Sequence, residues 1–210
     1  MLASLTPPIP TGAELAAVLI VVSFSAGLNV YATVGMLGIL ARAGALTLPP
    51  ALHPLESWYV IAACVVLFLV EFVGDKIPVF DLLWNALHTF VRIPVAALLA
   101  YGATAQLPPR EQLLATFLGA LIALAAHGGK ITARAAVTHS PEPFSNVALS
   151  LAEDAAVVFL TWLATRHPYV SAAIVGVALI LIVVMIRFVV RALRSLFADA
   201  GHEIYARPGP

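Results

Sequence analysis

The sequence predicts an all-α integral membrane protein with about six transmembrane helices. Of its 210 residues, 61% are hydrophobic and 10% are charged, whereas soluble domains have about 45–50% apolar and about 25% charged residues. The mean hydropathy is +0.99. Apolar stretches of about 20 residues, the length that crosses a bilayer, recur along the chain between proline-rich turns.

Charge, cysteine usage and motifs exclude several classes of function. Eleven basic and eleven acidic side chains give no net charge, so nothing indicates a nucleic acid partner. Cys64 is the single cysteine, which excludes an intrachain disulfide and a multi-cysteine metal site. The sequence contains no GxSxG, HExxH, Walker-type or dinucleotide-binding motif. We therefore expect no cofactor and no enzyme activity, although catalysis on a lipid headgroup stays open as an alternative.

The whole chain is expected to form a single transmembrane domain with six spans. They run from about 14 to 43, 58 to 74, 90 to 105, 112 to 137, 147 to 165 and 169 to 193, and 198–210 would be a tail. The first and fourth stretches are longer than a span requires. They are interrupted by AGLN at 26–29 and by HGGK at 127–130, so both are predicted to be broken helices.

After the second span, the sequence predicts a short amphipathic helix. VFDLLWNALHTFVR at 79–92 places apolar residues at helical spacing, with polar residues on another face. This pattern is typical of a helix that lies in the membrane interface or re-enters the membrane. Asp81, His88 and Arg92 are therefore expected to lie near the interface and to have a secondary role.

The two halves of the chain are weakly similar, which suggests an internal repeat. GLNVYAT at 27–33 aligns with GGKITAR at 128–134, and VGDKIP at 73–78 aligns with LATRHP at 163–168. The repeats would cover about 14–107 and about 112–197. Because three spans per repeat invert the second copy, the expected architecture is two inverted three-helix repeats, a recurring plan of transporters.

The distribution of basic residues predicts the orientation. With six spans, eight of the eleven Lys and Arg residues fall on the side that carries both termini. The other side keeps Arg42, Arg110 and Arg166. The positive-inside rule therefore places both termini in the cytoplasm.

Charged residues at the ends of apolar stretches are the first candidate site residues, because ionisable groups at membrane depth are costly and tend to be paired and functional. Glu71 and Asp75 lie four residues apart, on one helix face, and Lys76 follows directly. Lys130 and Arg134 show the same spacing after a glycine pair. Glu71, Asp75 and Lys76 are the leading candidates, and the alternative is that they only cap a helix end at the interface.

A polar stripe begins the fifth span. SPEPFSNVALSLAED at 140–154 places Asn146, Ser150 and Asp154 on one helical face, with Glu153 beside them. Acidic residues that complement a helix dipole are the alternative.

The residues expected to bind a substrate or ion are Asn29, Thr33, Glu71, Asp75, Lys76, Lys130, Arg134, Glu142, Asn146, Ser150, Glu153 and Asp154. Whether a metal binds is left open, with Glu71, Asp75 and Asp154 as candidate ligands. His127, beside the glycine pair, is expected to be a packed or hydrogen-bonded histidine rather than a proton shuttle.

Most of these polar residues lie in three blocks. They are AGLNVYATVGMLG at 26–38, EFVGDKIPVFDLLWNALHTFVRIP at 71–94 and GGKITARAAVTHSPEPFSNVALSLAED at 128–154. The blocks resemble those of a bacterial membrane family catalogued as domain of unknown function 4126 (DUF4126). The resemblance covers nearly the whole chain and implies a location in a bacterial inner membrane. It implies no activity, because that family has no established function.

A second, fainter likeness concerns EFVGDKI at 71–77. It is similar to the Glu-x-Gly-Asp-Lys/Arg-Ser/Thr motif of cation/proton exchangers of the Gdt1 family. It has one additional residue before the glycine, no hydroxyl residue at the end and no second copy. The likeness prompts a cation hypothesis and nothing more specific.

The sequence supports two functional hypotheses. The first is a small secondary transporter or channel for a small ion or polar solute, with Glu71 or Asp75 as the protonatable coupling group. The second is a non-transporting membrane scaffold or accessory subunit, in which the buried charges lock helix packing. The expected partners are the lipid bilayer and the solute, and homo-oligomerisation stays open.

Overall fold

A computed structural model describes residues 12–138 and 143–205 of the chain. Within these ranges the protein is all-helical, as predicted, and contains no strand. A 3₁₀ helix, Pro50–Glu56, lies between the second and third α-helices. The α-helices are α1 (Gly12–Leu28), α2 (Val30–Arg42), α3 (Trp58–Gly74), α4 (Pro78–Ala103), α5 (Pro109–Thr138), α6 (Pro143–Arg166) and α7 (Pro168–Tyr205).

Helix length and composition identify four candidate membrane spans in the described ranges. They are Trp84–Ala103, Pro109–Arg134, Val147–Arg166 and Pro168–Ala192. The 3₁₀ helix and α3 together make a fifth, bent by 64°. Helices α1 and α2 are apolar but shorter, with 17 and 13 residues. The chain is therefore a multi-pass membrane protein.

The first apolar stretch is broken at Asn29, within the predicted interruption. Helix α1 ends at Leu28 and α2 begins at Val30. Asn29 has extended backbone (φ −149°, ψ 104°), and its side-chain oxygen accepts a hydrogen bond from the Ala32 amide at 3.0 Å. Asparagine is a preferred N-cap because its side chain satisfies a free amide of the first turn. The cap stabilises the start of α2 after the break.

The fourth stretch is not broken, so that prediction is wrong. Helix α5 is continuous from Pro109 to Thr138, through Gly128 and Gly129. A Cβ atom at Gly129 would lie 2.8 Å from side-chain atoms of Ile182 in α7. The absence of a side chain at Gly129 therefore permits a close approach of α7, and it does not unwind the helix.

The predicted amphipathic helix and the predicted third span form one helix, so their separation is also wrong. Helix α4 runs without interruption from Pro78 to Ala103. Pro78 is at the first position of the helix, where a missing amide costs nothing. Pro94 lies inside the helix without ending it, as is tolerated in membrane helices.

Helices α1 and α5 cross at the centre of the bundle. A Cβ atom at Gly27 would lie 2.4 Å from the carbonyl oxygen of Ala123, so the two backbones are nearly in contact. Helices α4 and α7 each pack against both members of this pair. Helix α3 packs on α2, and α6 packs on α1, α2 and α7. Polar side chains of α3, α4, α5 and α6 meet beside the break after α1.

Candidate functional site

A cluster of seven ionisable side chains lies inside the bundle, contributed by α3 and its C-cap, α4, α5 and α6. We call it the charge cluster, and its members are Glu71, Asp75, Arg92, Lys130, Arg134, Glu153 and Asp154. The side chain of Glu153 is 10% exposed, and the other six residues are between 0% and 6% exposed. Buried charges persist only when they are paired or hydrogen-bonded, so the partners of each one define the site.

Arg92 is fully buried and makes three contacts. Its guanidinium forms a salt bridge with Glu71 and donates to Asn85 Oδ1 at 3.1 Å. It also contacts His127 Nδ1 at 2.8 Å. Because a guanidinium only donates, Nδ1 of His127 accepts, and its Nε2–H then donates to Thr89 Oγ1 at 2.7 Å. His127 is thus a neutral, hydrogen-bonded histidine, as the sequence predicts.

Lys130 lies at the centre of the cluster. Its ammonium is 3.0 Å from Asp75 Oδ2 and 3.5 Å from both Glu71 Oε1 and Glu153 Oε2. It also contacts the carbonyl oxygen of Leu28 at 3.4 Å. Leu28 ends α1, and the last carbonyls of a helix carry partial negative charge. The helix break therefore supplies an additional acceptor to the lysine.

Arg134 joins the end of α3 to α6. Its guanidinium lies 2.7 Å from Asp75 Oδ2 and 2.9 Å from Glu153 Oε2. It also donates to the backbone carbonyl of Asp75 at 3.3 Å. Two carboxylates thus share one guanidinium, which links the C-terminal end of α3 to the middle of α6.

Asp154 differs from the other three carboxylates of the cluster. Its Oδ1 accepts a hydrogen bond from Asn29 Nδ2 at 3.0 Å. Its Oδ2 is buried and has no hydrogen-bond partner among the described residues, as is also true of one oxygen of Glu71 and one of Asp75. Unlike those two carboxylates, Asp154 forms no ion pair with a described residue. The residue is 6% exposed. A buried polar atom without a partner is uncommon in folded proteins and often marks a functional position.

The charge cluster is not balanced. When every member is ionised, the four carboxylates exceed the three cations by one negative charge, counted over the described side chains. Glu71, Asp75 and Glu153 each lie within 4.0 Å of a basic group. The excess charge therefore belongs to Asp154, where a proton or a bound cation would neutralise it.

The structure places several other candidates at the edge of this cluster. Thr33 is buried and donates to the Asn29 carbonyl at 2.8 Å, one turn after the helix break. Ser150 is fully buried, one turn before Asp154. Glu142 lies outside the described residues, and so do the side chains of Asn146 and Asp81.

Lys76, a leading candidate, is not brought into the cluster. Its ammonium donates to the Phe72 carbonyl at 2.6 Å and lies 3.2 Å from the centroid of the Phe72 ring. The side chain turns back along the end of α3 because it follows the C-cap residue Asp75. Its spacing from Glu71 on the helix also places it off the face that Glu71 and Asp75 share.

His88 and Arg92 are buried inside the bundle, so they do not form the outward-facing polar side of a separate interfacial helix. They are 4% and 0% exposed. His88 Nε2 contacts the Tyr31 hydroxyl at 3.0 Å, and its Nδ1 contacts the Trp84 carbonyl at 2.8 Å. Because α4 is one continuous helix packed against α1 and α5, its polar face turns inward. The helical spacing of Asn85, His88 and Arg92 is the sequence signal that could have revealed this face.

Asp154 also lines a groove on the outside of the bundle. The groove has a volume of about 580 Å³ and is bounded by α2, α3 and α6. Its walls are apolar and aromatic, with Phe68 and Phe72 on α3 and Phe159 and Trp162 on α6. Among the described residues that line it, Asp154 is the one ionisable side chain. Asp154 is therefore the residue at which the charge cluster adjoins this apolar groove.

The three candidate metal ligands are not grouped as a metal site in the part of the chain that the structure describes. Among the described residues, no group of three or more His, Cys, Asp or Glu side chains is arranged to hold a metal ion. Lys130 lies between Glu71 and Asp75, and Asn29 occupies one oxygen of Asp154. Basic and amide groups thus take the positions that a metal would need.

Apolar outer surfaces and an interior charge cluster define a multi-pass α-helical membrane protein. Large side chains of α7 such as Ile180 and Phe188 are 66% and 72% exposed, as on a lipid-facing helix. The profile of one family, Domain of unknown function (DUF4126), matches residues 16–188. The chain belongs to the DUF4126 family, as its sequence blocks suggest. No curated protein and no solved structure matches the chain.

Proposed function

We propose that the protein is a small, non-enzymatic secondary transporter for a small ion or polar solute. The observation that carries the proposal is the excess carboxylate Asp154, buried beside a helix break. Glu71 and Asp75, the coupling groups expected from the sequence, are less suited to that role because each is already paired with basic groups. Asp154 is the group we assign to coupling.

A broken helix beside a buried charge is a recurring feature of secondary transporters. A proton and a transported cation would compete for Asp154, because either one neutralises the cluster. Such competition links the movement of one to the movement of the other. The members of the cluster are at most 10% exposed, so passage requires the helices to rearrange. This favours a carrier over a permanently open channel.

The proposal includes six membrane crossings arranged as two inverted three-helix repeats. Helices α1 and α2 would cross together as one broken span, equivalent to α5, with α3 equivalent to α6 and α4 to α7. The packing supports this assignment, because α4 and α7 each contact both α1 and α5. The two repeats differ in one respect: the span made of α1 and α2 is broken, whereas its counterpart α5 is continuous.

Both termini are proposed to lie in the cytoplasm, with the protein in a bacterial inner membrane. Arg92, Lys130 and Arg134 are buried and no longer count as loop charges. Five basic residues remain on the side of the termini, against three on the other side. The positive-inside rule gives the same orientation with this reduced set. The charge cluster then lies toward the cytoplasmic side, where α3 and α5 end and α4 and α6 begin.

The function can be tested in proteoliposomes that contain a pH-sensitive dye. Vesicles with an acidic lumen are diluted into media containing sodium, potassium or alkylammonium salts, and exchange for protons makes the lumen alkaline. We expect wild type and Glu111→Gln to exchange and Asp154→Asn to be inactive. Glu111 is an exposed carboxylate at the start of α5, so its variant is a matched control. If Asp154→Asn exchanged protons at the wild-type rate, this residue would have no role in the mechanism.

A structural role is the second candidate, and the extensive pairing of the cluster favours it. All three cations lie within 4.0 Å of at least one carboxylate, an arrangement that can specify how helices pack. A scaffold would show reduced folding yield when a cluster charge is removed. It would show no ion-dependent proton movement in the same vesicles, whatever cation is supplied.

A further inference from the structure

We propose that the groove beside Asp154 binds a lipophilic organic cation, meaning a quaternary or protonated nitrogen, or a phosphonium, carried on an apolar body. The inference rests on the proposed function in that both use Asp154, and it narrows the transported ion to one chemical class. The inference is drawn from the volume of the groove, the presence of Asp154 in its lining and the aromatic rings along its walls.

The groove has the size and position of a small-molecule site that is reached from the bilayer. Its volume of about 580 Å³ lies within the range of about 300 to 1,000 Å³ that is usual for ligand pockets. Val158 and Phe159, on its rim, are 41% and 52% exposed on the outer surface. A ligand with an apolar body would therefore reach the groove through the lipid phase.

The Asp154 carboxylate beside the groove selects a cation. Asp154 is 94% buried, since it is 6% exposed, and its Oδ2 has no partner among the described residues. Two basic groups of the cluster, Lys130 and Arg134, are already paired with Asp75 and Glu153. A cation at Oδ2 would complete the charge balance, whereas an anion would be repelled.

The walls complement an organic cation rather than a hydrated metal ion. Phe68 and Phe72 on one side have ring centroids 5.9 Å apart, and Phe159 and Trp162 on the other are 6.1 Å apart. Aromatic rings attract cations through their negative faces and are the usual recognition elements for quaternary ammonium groups. One face of the Phe72 ring is already occupied by the Lys76 ammonium, 3.2 Å from the ring centroid. Phe68, Phe159 and Trp162 are the aromatic residues left to contact a bound cation.

The test compares two probes of nearly the same size and shape but opposite charge, tetraphenylphosphonium and tetraphenylborate. Binding to the purified full-length protein in a nonionic detergent is measured by titration calorimetry. We expect the phosphonium to bind wild type with one site per chain, and the borate to bind about tenfold more weakly or not at all. This comparison needs no variant, so misfolding does not affect it.

Variants locate the site. Asp154→Asn retains the oxygen that accepts from Asn29 and should weaken phosphonium binding about tenfold. Trp162→Leu removes one aromatic wall and should weaken it by a smaller factor, about threefold to tenfold. Glu111→Gln should bind like wild type. Size-exclusion profiles verify that each variant is folded.

Two results would overturn the inference. Equal affinity for the borate and the phosphonium would mean that the groove only accommodates apolar groups, such as a lipid acyl chain. Unchanged phosphonium affinity in Asp154→Asn would place the binding elsewhere. The proposed function is tested independently by the proteoliposome assay. Exchange of protons for an inorganic cation can occur without phosphonium binding, and phosphonium binding can occur without proton exchange.

Discussion

Asn29 donates a hydrogen bond to Asp154 across 125 positions of sequence, with 3.0 Å between Nδ2 and Oδ1. The Oδ1 atom of the same asparagine caps α2 by accepting from the Ala32 amide. One side chain therefore both starts the second helix and positions the unpaired carboxylate. The break in the first span and the candidate site are thus a single structural feature.

The two roles of Asn29 can be separated by substitution. Asn29→Ser keeps a side chain that caps α2, but this side chain is too short to reach Asp154. The variant should lose about 1.5 to 3 kcal/mol of unfolding free energy, the contribution of a hydrogen bond to a charged group. Asn29→Ala loses the cap as well and should cost about 1 kcal/mol more. Unfolding of the purified variants in mixed detergent micelles gives both free energies. Equal losses in the two variants would contradict the capping role.

Removing either partner of the salt bridge between Glu71 and Arg92 should destabilise the protein, but by different amounts. Glu71 is the only carboxylate paired with Arg92 among the described side chains, whereas Glu71 also lies 3.5 Å from the Lys130 ammonium. Removing one partner of a buried pair costs about 3 to 5 kcal/mol. Arg92→Met should nevertheless destabilise the protein more than Glu71→Gln. It raises the excess of the cluster from one negative charge to two and removes the donor to Asn85 and His127, whereas Glu71→Gln balances the charges of the cluster.

The double variant completes this test. Glu71→Gln with Arg92→Met removes both charges, so its loss of stability should be smaller than the sum of the two single losses. Glu111→Gln, an exposed carboxylate, is the control and should leave the unfolding midpoint unchanged. Additive losses would show that the two side chains do not interact.

The glycine pair of α5 offers a test of the unbroken helix. A Cβ atom at Gly128 would meet only Ile186 Cδ1, at an ordinary 3.8 Å, whereas one at Gly129 would lie 2.8 Å from Ile182. Gly128→Ala should therefore stabilise the protein by about 0.5 to 1 kcal/mol through helix propensity. Gly129→Ala should destabilise it by about 1 to 3 kcal/mol through overpacking. Thermal unfolding in detergent measures both, and loss of stability in Gly128→Ala would indicate a non-helical backbone there.

The sequence predicted the helical class, the bounds of α3 and the break at Asn29, because composition, span length and a capping residue are local signals. It could not predict whether Gly128 and Gly129 interrupt α5. Glycine permits both an unwound backbone and close helix packing, and only Ile182 on another helix decides between them.

The candidate site was predictable in part for a similar reason. Charges at membrane depth identified Glu71, Asp75, Lys130 and Asp154, which the structure places in one cluster. The inward position of Arg92 depends on α4 continuing through residue 92, which its amphipathic pattern did not determine. Which carboxylate stays unpaired depends on pairing across helices, and sequence spacing within one helix does not determine it.

The six-crossing topology predicts which loops face each side of the membrane. Cysteine replacements at Ala105, between α4 and α5, and at His167, between α6 and α7, should react with an impermeant maleimide added outside intact cells. A replacement at Ser195, near the end of α7, should react only after the membrane is permeabilised. All three positions are exposed, and Cys64, the native cysteine, is 7% exposed, so wild type should give little background. Labelling of Ser195→Cys from outside would exclude a cytoplasmic C-terminus. If only one of Ala105→Cys and His167→Cys reacted from outside, the two positions would lie on opposite sides of the membrane, which would exclude an even number of crossings between them.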